Sequence, residues 1–234
     1  MKRVVLTAIF SLFTIGISSA QEEIDFTLSP AWDSRYIQQG HDTIPGEGLT
    51  SMTAEAAYGD WAASLWYAWG FGADYEEYQA SIARSFEIEG WEFTGNYTYL
   101  DFVSAGGDDH ELGLFIASPD FGPGLVASAY WYYSFTAEGT FLDLFLERPT
   151  EITDRLSITP GVFFGSNFGY YADGHRGANH VEFNLGADYA VCENFVLSAY
   201  VRQSLAIDSD AATYGDDAAL GDIFYGGVSA TISF

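Results

Sequence analysis

The sequence predicts an all-β fold, an antiparallel up-and-down transmembrane β-barrel of about twelve strands, and three observations carry that prediction. Apolar residues recur at every second position in run after run, bounded by Gly, Pro, Asp or Asn, which is the pattern of strands with one greasy and one wet face. After residue 20, no stretch approaches the roughly 20 consecutive apolar residues of a membrane helix, so any membrane crossing falls to strands. The chain ends on one such run, 223–234, in which Phe224, Val228, Ile232 and Phe234 alternate with Tyr225, Ser229, Thr231 and Ser233.

That last run resembles the C-terminal strand of bacterial outer-membrane β-barrels. The resemblance implies that the outer-membrane assembly machinery reads Phe234 as its signal. At the other end, Lys2 and Arg3 precede an apolar run over 4–17 and then Ser18-Ser19-Ala20. The run is too short to span a bilayer, and the small residues suit signal peptidase, so 1–20 reads as a cleaved export signal. Gln21 stands where a lipoprotein would need Cys. Residues 21–234 then form one barrel domain.

Lys2 is the only lysine, which leaves six arginines in 21–234 facing all 33 acids. So acidic a chain excludes nucleic acid, whose phosphates need a basic footprint, and permits small solutes or cations as partners. Aromatic residues make up 18% of the chain, far too many for a disordered acidic segment. Tyr and Trp in that abundance suit a lipid bilayer and its water interface. Cys192 has no second cysteine to pair with and reads as a buried or turn thiol.

The first strand, 24–36, sets Ile24, Phe26, Leu28 and Trp32 against Asp25, Thr27, Asp33 and Arg35; Pro30 within it requires a bulge or a non-bonded position. A loop leads to 49–58, whose wet face is Ser51, Thr53 and Glu55, and Gly59-Asp60 turns into 61–69. Run 75–88 carries Tyr78, Ile82 and Phe86 against Glu77, Gln79 and Ser81, with Arg84 on the apolar face near one end, where it can snorkel. Glu89-Gly90 turns into 91–102, where Phe93, Tyr97 and Tyr99 oppose Glu92, Thr94 and Asn96. Then come 110–117, 125–135 with aromatics on both faces at Tyr130-Trp131-Tyr132-Tyr133, and 140–148 with Leu142, Leu144 and Leu146 against Asp143 and Glu147. Runs 156–164, 180–191, 195–204 and 223–234 complete the set.

Connections after even-numbered strands read as mostly tight, and those after the first, third, fifth, ninth and eleventh as longer, glycine-rich and acidic. That alternation suits a barrel with short periplasmic turns and longer outer loops. Aromatics near strand ends, such as Tyr58, Trp61, Trp69, Phe71, Tyr97, Tyr99 and Tyr189, suit two interfacial girdles.

Strand phase directs Asp33, Glu55, Glu77, Glu92, Asp143, Glu147, Glu182 and Asp188 inward, with Arg35 and Arg202 as counter-charges. Such a lumen biases permeation toward cations, or is simply polar and internally paired. Twelve strands close into a backbone cylinder about 24 Å across, narrowed by side chains to roughly 10 Å. Trp66, Phe115, Phe145 and Phe163 share the inward phase and would plug it in a solid barrel. Acids in the outer loops, Asp108-Asp109 with Glu111 and then Asp208, Asp210, Asp216 and Asp217, match no calcium-loop spacing and read as solvated groups facing lipopolysaccharide. His175 and His180 near Asp173 carry little weight as a metal site, and no cofactor or catalytic motif is present. His41, His110, His175 and His180 all fall in or beside outer loops, so a surface hydrolase would require Ser, His and Asp to converge there.

Ser34-Arg35-Tyr36-Ile37-Gln38-Gln39-Gly40 resembles the N-terminal motif of the TorF-type porin family, with Tyr36 and Gly40 in place and Gln38-Gln39 where the family has an aromatic–arginine pair. The resemblance covers one strand end and implies an outer-membrane channel. The expected function is passive diffusion of small solutes; a closed adhesive or structural barrel is the second reading.

Overall fold

The computed structural model describes residues 24–171, 176–207 and 219–234. Residues 1–20, His175, Asp173 and the acids Asp208, Asp210, Asp216 and Asp217 lie outside the described residues, and with them the export-signal reading.

Twelve long strands form the wall: β1 (Asp25–Asp33), β4 (Gly48–Tyr58), β5 (Trp61–Phe71), β6 (Glu76–Ile88), β7 (Trp91–Phe102), β8 (Gly107–Ala117), β9 (Val126–Ser134), β10 (Gly139–Glu147), β12 (Leu156–Phe168), β13 (Arg176–Cys192), β14 (Phe195–Ala206) and β15 (Ile223–Ser233). Each pairs antiparallel with its neighbour in the chain, and β1 pairs with β15, so the sheet closes and leaves the wall no free edge. The fifth wall strand has the expected bounds, and the others differ from expectation mostly at their ends. Three short strands had no signal in the sequence: β2 (Ile37–Gln38) and β3 (His41–Asp42), which pair with each other, and β11 (Thr150–Thr153), which extends the β12 edge.

Strand alternation decides what each face meets. Leu65, Ile82, Phe183 and Val228 point outward and are exposed, Leu65 to 64% of its surface, while Ser81, Thr98, Ser85 and Thr94 point inward. Inside, hydroxyls bond across neighbouring strands, Ser81 to Thr98 at 2.8 Å and Ser85 to Thr94 at 2.6 Å. Burial here is therefore inverted relative to a water-soluble domain, with an apolar band outside and polar side chains within. The blurred aromatic run on β9 resolves the same way: Tyr130 and Tyr132 face the lumen, Trp131 the outside.

Both described chain ends meet at what we term the lower end, where the Phe234 amide donates to the Phe26 carbonyl at 2.9 Å. Tyr58 and Trp61 are exposed cross-strand partners there, and Trp69 and Phe71 are exposed at the upper end. Arg84 lies over the Trp61 ring at 5.4 Å, near the lower rim as its position required. Pro30 needs no bulge. The ladder to β15 is interrupted at Ser29 and Pro30 and resumes in unchanged register, because a residue without an N–H removes one bond and shifts nothing.

Loop lengths depart from expectation. Upper connections 72–75 and 103–106 are short, whereas lower connections 118–125 and 148–155 are longer. Phe121 and Leu125 bridge to each other in the first of these lower connections, and β11 occupies the second, so both are small folded extensions instead of tight turns.

Candidate functional site: a narrowed lumen

The upper half of the lumen is crossed by the segment that follows β1. Ile37–Gln38 and His41–Asp42 form a miniature hairpin whose turn is Gln39-Gly40, with positive φ at both residues (47° and 78°). A Cβ on Gly40 would lie 2.9 Å from the His180 ring, so glycine is required twice over, by φ and by space. Gly165 also stands against that ring, and His180 occupies the room both glycines leave.

Side chains tie the hairpin to opposite walls. Tyr36 donates to Glu77 on β6 at 2.8 Å, and Tyr75 adds a second phenol to the same carboxylate. Gln39 donates to Tyr132 on β9 at 2.5 Å, Tyr171 donates to Gln39 at 3.0 Å, and His41 stacks on Tyr171 at 4.0 Å. Arg35 pairs with Asp42 at 2.7 Å, within the same loop. Apolar contacts fix the root: Tyr36 and Ile44 pack with Leu49 and Ala68, while Ile37 packs against Tyr200, Ile223 and Tyr225.

Hydroxyls meet several acids of the inner face. Tyr170 donates to Glu111, Tyr225 to Glu182, Tyr200 to Asp33 at 2.5 Å, Tyr132 to Asp143 at 3.3 Å, and Ser198 to Asp188 at 2.6 Å. Arg202 adds a salt bridge to Glu182 at 3.0 Å, bonds Asn184, and lies over Phe163 and Tyr200. Burial pushes the phenols of Tyr36 and Tyr170, both in connections outside the wall, well above the ordinary value, with Glu77 and Glu111 adding to the shift. They stay protonated and remain donors.

Beneath the hairpin lies a cavity of about 1250 Å³. Gln38 and Gln39 cap it, Ser51, Thr53, Ser64 and Thr98 line one wall, and Glu151 and Arg155 stand at the lower end. Seven carboxylate residues line it against three arginines. Phe141, Phe145 and Phe163 are buried on the other wall, and Trp66 lines the cavity from β5, its ring 6.2 Å from that of Tyr36.

Of the residues the sequence pointed to, Asp33, Glu55, Asp188 and Arg202 line the cavity, and Glu77, Asp143, Glu147 and Glu182 are buried on the inner face. Glu92 sits low on β7 opposite Glu87. Arg35 also lines the cavity, from just beyond the end of β1, and its partner is Asp42 in the same loop. Two further readings change, on Asp109 with Glu111 and on His41 with His180. Asp109 and Glu111 belong to β8, where Asp109 accepts from Ser134 at 2.5 Å and from the Thr136 amide at 3.0 Å, so they are buried wall groups and not solvated loop acids. His41, in the hairpin, and His180, packed against its turn, are buried instead of solvated. Cys192 is an exposed thiol at the lower end of β13. Gln38, Gln39, Tyr132, Tyr170 and Tyr171 had no assigned role; Gly40 closely following a strand end was the available sign of a turn at Gln39. Among the described residues, no group of three or more His, Cys, Asp or Glu could hold a metal ion.

A closed antiparallel barrel with an apolar outer band and a wet, narrowed interior defines the class of transmembrane β-barrels. Solved outer-membrane barrels share this fold at about a tenth sequence identity. The KdgM porin superposes with a TM-score of 0.61 at 10% identity over 89% of this chain and 99% of its own. The NanC porin gives 0.55 at 10% identity over 89% and 98%, and an outer membrane channel from Pseudomonas putida F1 gives 0.51 at 10% over 93% and 98%. No protein-family model and no curated protein matches the sequence.

Proposed function

We propose that this protein is an outer-membrane porin-like channel for passive diffusion of small solutes, biased toward cations. The observation that carries the reading is the polar cavity running from the hairpin to the lower end, with its excess of carboxylates over guanidiniums. A wet bore lined by one sign of charge raises the local concentration of the opposite sign. The shared fold with porins supports the same reading. One neighbour was solved as a KdgM porin complex with disordered oligogalacturonate, a polyanion. An acid-rich lumen favours neutral or cationic solutes instead.

The TorF-type resemblance enters here through Tyr36 and Gly40, both of which belong to the constriction. Export through residues 1–20, recognition of Phe234 by the assembly machinery, and contact of the upper loops with lipopolysaccharide complete the proposal.

A closed structural barrel is the second reading, favoured by burial of Phe141, Phe145 and Phe163 beside the docked hairpin. A hydrolase is not favoured: His110 reaches Asp108 at 3.7 Å and Tyr97 at 2.6 Å on the outer face, whereas Ser134 bonds Asp109 inside. Planar-bilayer recording of the refolded protein separates the readings. Discrete conductance steps are expected, and silence from folded protein would favour the closed barrel.

A further inference from the structure

We infer that Gln39 is the specificity-determining residue of the passage, an amide latch that holds the hairpin across the bore and thereby sets the largest solute that passes; this rests on the channel reading above. The backbone is the first observation. Gln39 has φ 47°, a left-handed conformation that two-residue hairpin turns reserve mainly for Asn, Asp and Gly. Strain of this kind persists where surrounding contacts over-determine it.

Those contacts come from the Gln39 side chain, which uses both ends of its amide. Nε2 donates to the Tyr132 hydroxyl at 2.5 Å, and Oε1 accepts from the Tyr171 hydroxyl at 3.0 Å. Tyr132 stands on β9 and donates its own hydrogen bond to Asp143, while Tyr171 lies in the connection after β12 and also reaches the Gln38 carbonyl at 3.2 Å. One side chain therefore spans from the tip of the hairpin to the wall at β9 and to the connection after β12. A hydrocarbon side chain would provide neither bond, and a carboxylate could only accept.

Beyond the amide, the tip is held by stacking of His41 on Tyr171 and a backbone bridge from His41 to Leu220, and the seat leaves polar atoms unsatisfied. Asp42 Oδ1 in the hairpin and Asn179 Nδ2 beside His180 are buried without a hydrogen-bond partner, so undocking lets both regain water. The root is different: Tyr36 and Ile44 are anchored in apolar contacts with Leu49 and Ala68. Apolar ends and a polar tip make a flap that pivots on its root, with Gln39 as the catch. Release of the catch widens the bore without dismantling the wall.

The test uses full-length protein refolded into proteoliposomes and planar bilayers, comparing wild type with Gln39→Gly and Tyr171→Phe. Glycine accepts the turn without strain and lacks the amide; phenylalanine keeps the ring and removes the hydroxyl that Gln39 Oε1 and the Gln38 carbonyl share. Both variants are expected to shift the liposome-swelling cut-off from monosaccharides toward larger neutral sugars and to enlarge the single-channel step. A conducting wild type whose cut-off and step are unchanged in both variants overturns the latch. Silence of wild type, both variants and a chain in which 36–44 is replaced by a short Gly-Ser turn, with barrel folding intact, overturns the channel reading and the latch with it.

Discussion

The Tyr36 hydroxyl donates to the Glu77 carboxylate at 2.8 Å, joining residues 41 positions apart where the hairpin root meets β6. Glu77 is wholly buried and depends on donors for its charge, with Tyr75 and Gln79 as the others. Tyr36→Phe keeps the apolar packing and removes one donor, at an expected cost of about 1–3 kcal/mol. Urea unfolding in detergent micelles measures it, and an unchanged midpoint would show that the bond contributes nothing.

Arg202 and Glu182 form a buried pair across β14 and β13, 3.0 Å apart. Arg202→Met alone leaves Glu182 as an uncompensated buried carboxylate and is expected to cost about 3–5 kcal/mol. Arg202→Met with Glu182→Leu should recover most of that loss. A double variant as unstable as the single one would mean the cost comes from lost packing on Phe163 and Tyr200 instead.

Leu65 and Ser64 are chain neighbours on opposite faces of the wall, one exposed to lipid and one lining the cavity. Leu65→Arg is expected to destabilise folding into bilayers by about 2–4 kcal/mol if it sits near the midplane. Ser64→Arg should leave folding nearly intact and reduce preference for cations. Comparable folding losses from both would contradict the facing of β5.

Gly40→Ala places a methyl group 2.9 Å from the His180 ring at φ 78°. The expected penalty on the docked hairpin is about 1–2 kcal/mol from the backbone alone. New protease cleavage within 34–47, mapped by mass spectrometry on proteoliposomes, is the expected readout, and resistance equal to wild type would contradict the docking.

The wall was legible in the sequence because its physics is local. A strand with lipid on one side and water on the other writes its facing into every second residue, so Leu65 and Ser64, or Asp188 and its neighbour Ala187, could be assigned without any partner in view. The constriction was not. Ile37–Gln38 and His41–Asp42 are too short to show alternation, and what stabilises them lies at Glu77, Tyr132 and Tyr171, far along the chain. Asp109 and Glu111 were misread for a related reason: acids after a glycine pair resemble a solvated loop until Ser134, Thr136 and Tyr170 are seen to bond them. Arg35 faces the lumen as the strand phase suggested, but from beyond the end of β1 at Asp33, where the chain turns inward and brings Asp42 to it.

The central claim is a water-filled passage whose carboxylates outnumber its cations. Reversal potential across a bilayer holding the refolded protein, under a tenfold potassium chloride gradient, tests it most directly. The account predicts a potential displaced toward that of potassium, reduced when Glu55, Glu182 and Asp188 are neutralised together. A potential at zero or displaced toward chloride, from protein that conducts, would contradict it.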